Sequence, residues 1–163
     1  MRIEERARRV KLLIMDCDGV LTDGRLYFTG DGEAMKVFHA RDGQGIALWN
    51  KAGFRSGIIS GRGAAEIIGR RADELGMSYI RTNSHDKVAD LKEIIADAGV
   101  TLEEVAYIGD DIGDVEVMKV VGLPVAVADA VVEAINAAIF VTSLKGGQGA
   151  VRQVTDLLLD SKA

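Results

Sequence analysis

"KLLIMDCDGVLTDG", residues 11–24, decides how the whole chain is read. Apolar residues run to Met15 and stop on two aspartates, Asp16 and Asp18, which lead into Asp-Gly pairs at 18–19 and 23–24. A short run that is apolar throughout is what a strand buried on both faces requires, and such strands belong to parallel sheets. The run predicts a strand from Val10 to Met15. The two carboxylates at its end repel each other, so their placement asks for a chemical reason.

Working outward, similar runs predict strands at Arg55 to Ile59, Ser78 to Arg81, Val105 to Ile108, Val125 to Ala126 and Phe140 to Val141, with helix-length segments between them. In "DKVADLKEIIADAGV" (86–100), Val88, Leu91, Ile94, Ile95 and Ala98 form one apolar stripe, with Asp86 placed to cap the helix and Gly99 to end it. The expected fold is α/β: a Rossmann-like parallel sheet with helices on both faces, in one domain spanning 1–163. Ligands of such sheets bind at the carboxyl ends of the strands.

One segment breaks the alternation. Residues 22–39, "TDGRLYFTGDGEAMKVFH", read as a protruding hairpin with strands Leu26 to Phe28 and Met35 to Phe38 around a Gly/Asp-rich turn. Between Gly19 and Arg55 there is room for this hairpin and one helix only. A cap domain of at least about 50 residues does not fit.

Composition removes several classes of function. At 163 residues and 48% apolar content the chain can bury a core of its own. A net charge of −5 argues against a nucleic-acid partner, which needs clustered Lys and Arg. No run approaches the roughly 18 apolar residues of a membrane span, and "MRIEERARRV" has no apolar leader pattern. The expectation is a soluble, cytoplasmic protein without a membrane partner. The single cysteine, Cys17, has no partner for an internal disulfide and reads as a packing residue.

The carboxylates gain a meaning when two clusters are set side by side. "IGDDIGD" places Asp110, Asp111 and Asp114 just after the strand Val105 to Ile108, at the same sheet edge as Asp16 and Asp18. Taken singly, either cluster also fits ordinary Asp-Gly turns. Together they would raise one another's pKa unless a hard cation neutralised them, and Mg²⁺ takes oxygen ligands of this kind. At another strand end, "GIISGRG" supplies the Ser60 hydroxyl and backbone N–H groups for an oxyanion, and Lys87 opens a helix where it can add a point charge.

In this order, DxDGVLTDG, SGR, a lone Lys and GDDxxD, the chain resembles the haloacid dehalogenase-like phosphatases from Asp16 to Asp114. "FHARDG" (38–43) and "GGQGAVR" (146–152) are similar to the cap-less branch acting on 3-deoxy-D-manno-octulosonate 8-phosphate. The resemblance implies Asp16 as nucleophile and Asp18 as general acid/base. Mg²⁺ would be held by Asp16, the Asp18 backbone carbonyl and Asp110, with Asp111 and Asp114 in support, and Ser60 and Lys87 would hold the phosphoryl group. It maps sugar-acid contacts to His39, Ala40, Arg41, Asp42 and Gly43, to Arg62 and Arg70, and to Lys87. It further implies a homotetramer in which hairpins pack together and a neighbour's Gly146 to Arg152 covers the pocket.

Two positions depart from the pattern: Ala47 stands where a basic residue is common, and Gln153 where glutamate is. Both bear on the sugar more than on the reaction. A nine-carbon 2-keto-3-deoxy acid phosphate is the nearest competing substrate, but its phosphatases tend to carry glutamate at the position of Arg62. A receiver-like phospho-aspartate signalling module shares the Asp, Lys and Mg²⁺, yet lacks a carboxylate two residues after its phosphoacceptor. A phosphomutase would need a cap to keep water from the aspartyl-phosphate.

Overall fold

In chain order the elements are α1 (Ile3–Arg9), β1 (Leu12–Met15), β2 (Tyr27–Thr29), β3 (Gly32–Met35), α2 (Ala40–Lys51), β4 (Arg55–Ile59), α3 (Ala65–Leu75), β5 (Tyr79–Arg81), α4 (Lys87–Ala98), β6 (Val105–Gly109), α5 (Val115–Met118), β7 (Leu123–Ala126), α6 (Val132–Ala137), β8 (Phe140–Val141) and α7 (Ala150–Asp160). The computed structural model describes residues 1–163. Six strands form one parallel sheet in the order β5-β4-β1-β6-β7-β8, and β2 and β3 form a separate antiparallel hairpin. No helix is long and apolar enough to cross a membrane.

The uniform apolarity of β1 follows from its central place. Its side chains alternate between two cores. Leu13 and Met15 join Trp49, Ile68, Val151, Val154 and Leu158 on one face, while Leu12 and Ile14 join Leu91, Ile94, Tyr107, Val117 and Met118 on the other. The helices accordingly divide, with α2, α3 and α7 covering the first face and α4, α5 and α6 the second. In α4 the expected signals operate: Asp86 accepts a hydrogen bond from the Ala89 N–H at 3.0 Å, and Gly99 ends the helix in the left-handed region at φ 67°. α1 was not foreseen, because its mixed charges hide the one side that packs, through Ile3, Ala7 and Val10. β7 starts two residues earlier than expected. Its Pro124 precedes the point where β8 begins to pair.

The hairpin is present but its register corrects the expectation. Thr29 pairs with Gly32 across a two-residue Gly30-Asp31 turn, so the second strand is Gly32–Met35 and not Met35 to Phe38. The tight turn, in which Asp31 N–H donates to Thr29 Oγ1 at 3.2 Å, recruits the polar residues next to it. The more apolar Val37 and Phe38 fall beyond the ladder, and propensity yields to turn geometry. No cap domain is inserted anywhere along the chain; between β1 and β4 lie only the hairpin and α2.

β1 lies between β4 and β6, with Met15 opposite both Ile58 and Ile108. From β1 the chain runs outward through β4 to β5, then returns to β6 on the other side of β1 and runs outward the opposite way through β7 to β8. The crevice at the carboxyl ends of β4, β1 and β6 is therefore the place where a ligand can enter.

Candidate active site

The three central strands deliver their first non-strand residues to one spot: Asp16 after β1, Ser60 after β4 and Asp110 after β6. With Asp18, Gly61, Arg62, Lys87, Asp111, Gly113 and Asp114 they line a cavity of about 210 Å³ that contains no hydrophobic residue. Register is what brings them together: Met15 lies opposite Ile58 and Ile108, and β4 and β6 run one residue further than β1 on either side of Asp16.

Asp16 accepts the Cys17 N–H at 2.7 Å on Oδ1 and lies 3.2 Å from Lys87 Nζ through Oδ2. Burial, followed by repulsion from Asp114, pushes its carboxyl up to about 7 despite the opposing pull of Lys87. Asp110 is pushed up to about 9, by burial and then by the charges of Asp16 and Asp114. Burial alone would lower Lys87, but the charges of Asp16 and Asp114 outweigh it and hold the ammonium above its usual value.

Asp114 behaves differently. Oδ1 takes Lys87 Nζ at 2.8 Å and the Tyr107 hydroxyl at 2.6 Å, and Oδ2 takes the N–H groups of Asp110 at 2.9 Å and Asp111 at 3.2 Å. Burial would raise its pKa, but Lys87 overrides it and the carboxyl is lowered. With its acceptor positions filled, Asp114 holds Lys87 and the β6 loop in place. Asp111 is exposed and accepts the Ile112 N–H at 2.7 Å, capping the short 3₁₀ turn Ile112–Asp114.

Asp16, Asp110 and Asp114 each offer an oxygen within 4.8 Å of the others. Asp110 Oδ1 is buried with no hydrogen-bond partner, a costly state for a carboxylate oxygen. An all-oxygen donor set with two raised carboxyls and one orphaned oxygen fits a hard divalent cation such as Mg²⁺, held through Asp16 and Asp110. Gly19 permits this packing: its φ is 87°, and a Cβ there would collide with Asp110 Oδ2.

Ser60 is buried, with its Oγ accepting the Arg62 N–H at 3.3 Å. Asp18 is gripped from the hairpin side. Lys36 Nζ lies 2.7 Å from Asp18 Oδ1 and 2.7 Å from Glu33 Oε1, while Arg62 lies 3.5 Å from Asp18 Oδ2 and 3.5 Å from Glu33 Oε2. Sequence reading missed Lys36 and Glu33. Their only signal was a lysine and a glutamate three apart at a strand end, which becomes meaningful once the hairpin folds back over the site. Cys17 is buried among core residues, and its thiol is pushed up to about 12 by burial and then by the charge of Asp18.

The remaining expected contacts lie elsewhere in the chain. His39 caps α2 through Nδ1, which accepts the Arg41 N–H at 3.1 Å. Asp42 is buried and accepts the Arg152 N–H at 2.9 Å, tying α2 to α7, and Gly43 is buried in the same helix. Arg41 lines a cavity with Gln148, Arg152 and Gln153, whereas Ala40 and Arg70 line another with Phe38, Ile67 and Arg71. Gly147 N–H donates to Val20 O at 2.9 Å, and Cβ atoms at 146 or 147 would collide with the backbone of Gly19 to Asp23. This backbone braces the chain's own Asp18 loop.

A family model for haloacid dehalogenase-like hydrolases matches residues 49–153. The 3-deoxy-D-manno-octulosonate 8-phosphate phosphatase KdsC of Yersinia pestis is 44% identical over 155 residues, covering 95% of this chain and 82% of the relative. A crystal structure of the Yersinia pestis phosphatase superposes with a TM-score of 0.95 at 42% identity, over 98% of this chain and 86% of that one. The phosphatase of the same name from Moraxella catarrhalis, solved with a magnesium ion, a phosphate ion and a KDO molecule, has a TM-score of 0.94 at 34% identity, over 98% of this chain and 91% of that one. Fold, site and relatives agree: the chain belongs to the haloacid dehalogenase-like hydrolases.

Proposed function

We propose that the chain is a Mg²⁺-dependent phosphatase that releases phosphate from 3-deoxy-D-manno-octulosonate 8-phosphate. The observation that carries this reading is the convergence of Asp16, Asp18, Ser60, Lys87 and Asp110 on one small polar cavity at the switch point of the sheet. Similarity to phosphatases of that name over 95% of the chain supports the substrate.

The chemistry divides among these residues. Bound Mg²⁺ supplies the positive charge that lets a carboxylate approach a phosphate dianion. Asp16, Asp110 and the Asp18 backbone carbonyl are its ligands. One Asp16 oxygen attacks phosphorus, the bond from phosphorus to the sugar oxygen breaks, and Asp18 gives that oxygen a proton. Ser60 and Lys87 hold the transferring group. Asp18 then takes a proton from the water that cleaves the aspartyl-phosphate, which releases inorganic phosphate, restores the Asp16 carboxylate and returns Asp18 to the acid form in which it started.

A cavity of about 210 Å³ suits a phosphate group and is small for an eight-carbon sugar acid. The sugar therefore extends past Arg62 at the rim, and a homotetramer closes over it, bringing Ala40, Arg41 or Arg70 of another subunit to the carboxylate. Exposed Leu26, Phe28, Met35 and Val37 on the hairpin supply the apolar surface for that assembly. A reduced thiol at Cys17 suits a cytoplasmic place of action.

The test is phosphate release from a panel of 2-keto-3-deoxy sugar acid phosphates and hexose phosphates, with Mg²⁺ and with excess chelator. The eight-carbon substrate should lead the panel, and chelator should abolish turnover. Full activity in chelator, or preference for a hexose phosphate, would overturn the proposal.

A further inference from the structure

We infer that Lys36, steadied by Glu33, is the positioning residue for the general acid/base Asp18, which makes the hairpin a working part of its own protomer's catalytic site. The inference rests on the role given to Asp18 above.

Four side chains close a ring of alternating charge: Asp18, Lys36, Glu33 and Arg62. Lys36 is its centre, with a side chain 1% exposed and two carboxylate oxygens at 2.7 Å. A buried ammonium is costly unless paired, and this one has both partners it needs. Chain geometry explains how it gets there. The β2–β3 ladder ends at the Tyr27–Met35 pair, and from there side chains alternate. Met35 and Val37 stand exposed, while Lys36 between them turns inward to the acid.

The two oxygens of Asp18 are left in different states. Oδ1 receives the Lys36 hydrogen bond, whereas Oδ2 is buried and makes none, with Arg62 near but not hydrogen-bonded to it. A fixed Oδ1 and an unsatisfied Oδ2 suit a group that must present one oxygen to a leaving group at a set place. Asp18 lies beyond the end of β1, so no strand restrains it. Without Lys36 its carboxylate is free to turn away from the leaving oxygen.

The experiment compares a poor leaving group, that of 3-deoxy-D-manno-octulosonate 8-phosphate, with a good one, that of p-nitrophenyl phosphate, which needs no proton to depart. In Lys36→Met, the rate of phosphoryl transfer from the sugar phosphate to Asp16, read in a single turnover because the later hydrolysis step also uses Asp18, should fall on the order of 10- to 100-fold, less than full loss of a general acid costs. KM, and the same single-turnover rate for p-nitrophenyl phosphate, should move less than about 3-fold, against the 10²–10⁴ that acid–base catalysis contributes. Lys36→Arg should restore part of the loss. Asp18→Asn should show the same selectivity more strongly, and Lys36→Met added to it should have no further effect.

Glu33→Gln, which keeps its shape, should shift selectivity in the same direction and decides the matter if Lys36→Met does not fold. Equal losses on both substrates, a change confined to KM, or additive effects in the double variant would overturn the inference. If Asp18→Asn itself shows no dependence on the leaving group, the general-acid reading falls and takes the inference with it. That outcome is told apart because it appears without touching Lys36.

Discussion

Three aspartates lie within reach of one cation, and burial, neighbouring charge and hydrogen bonding divide them. Asp114 has every acceptor position filled and is lowered by Lys87, whereas Asp16 and Asp110 are raised to about 7 and about 9 and have oxygen to spare. Asp16→Asn should therefore abolish the covalent intermediate, read as loss of acid-stable phosphate labelling of the protein. Retained turnover near the wild-type level would contradict the nucleophile assignment. The raised carboxyls also set a pH dependence. Between the ordinary value of 3.8 and the folded values of about 7 and about 9, the folded protein without metal holds protons that the unfolded chain has lost. Stability from these two groups is thus fully present below about pH 4 and drains away as pH rises through that window. Mg²⁺ must displace those protons to bind. Its binding should release protons at pH 6 in a weakly buffered titration, and its stabilising effect in thermal melts should be larger at pH 8 than at pH 5.5; no proton release would show that these carboxyls are not the ligands.

At the scale of elements, the loop before α7 and the loop after β1 lean on each other through bare backbone. Gly146→Ala would push a methyl into the Gly19 carbonyl, and over-packing of this kind costs about 1–3 kcal/mol. The variant should melt lower and lose activity although residue 146 touches no substrate; an unchanged melt would mean that the Asp18 loop has slack. Contacts of this sort also mark what could be read from the chain. Asp16, Ser60, Lys87 and Asp110 were legible because each directly follows a strand or opens a helix, positions that periodicity and capping rules locate. Lys36 and Glu33 were not, since their role depends on a two-residue turn setting the hairpin register and on the angle at which the hairpin folds back, neither of which local pattern encodes. Asp42 was legible only as part of a motif; its bond to Arg152 N–H spans 110 positions of sequence.

For the whole molecule, the open question is what covers the hairpin. Phe28 and Val37 are 60% and 50% exposed in the single chain, on a two-stranded ribbon that is marginal alone in water. Leu26→Ser with Val37→Ser should move the protein to smaller species in sedimentation velocity and raise KM for the sugar acid phosphate while sparing p-nitrophenyl phosphate; an unchanged mass would place the subunit contact elsewhere. Deleting the segment from residue 145 onward is no substitute test, because α7 contributes Val151, Val154 and Leu158 to the core. The buried thiol between the two aspartates carries a last consequence. Cys17 is the sole cysteine, fully buried and held protonated, so it cannot react with a thiol reagent until the loop after β1 opens. Labelling then keeps time on that opening, without any engineered probe, and each tenfold rise in Mg²⁺ above its Kd should slow that clock about tenfold.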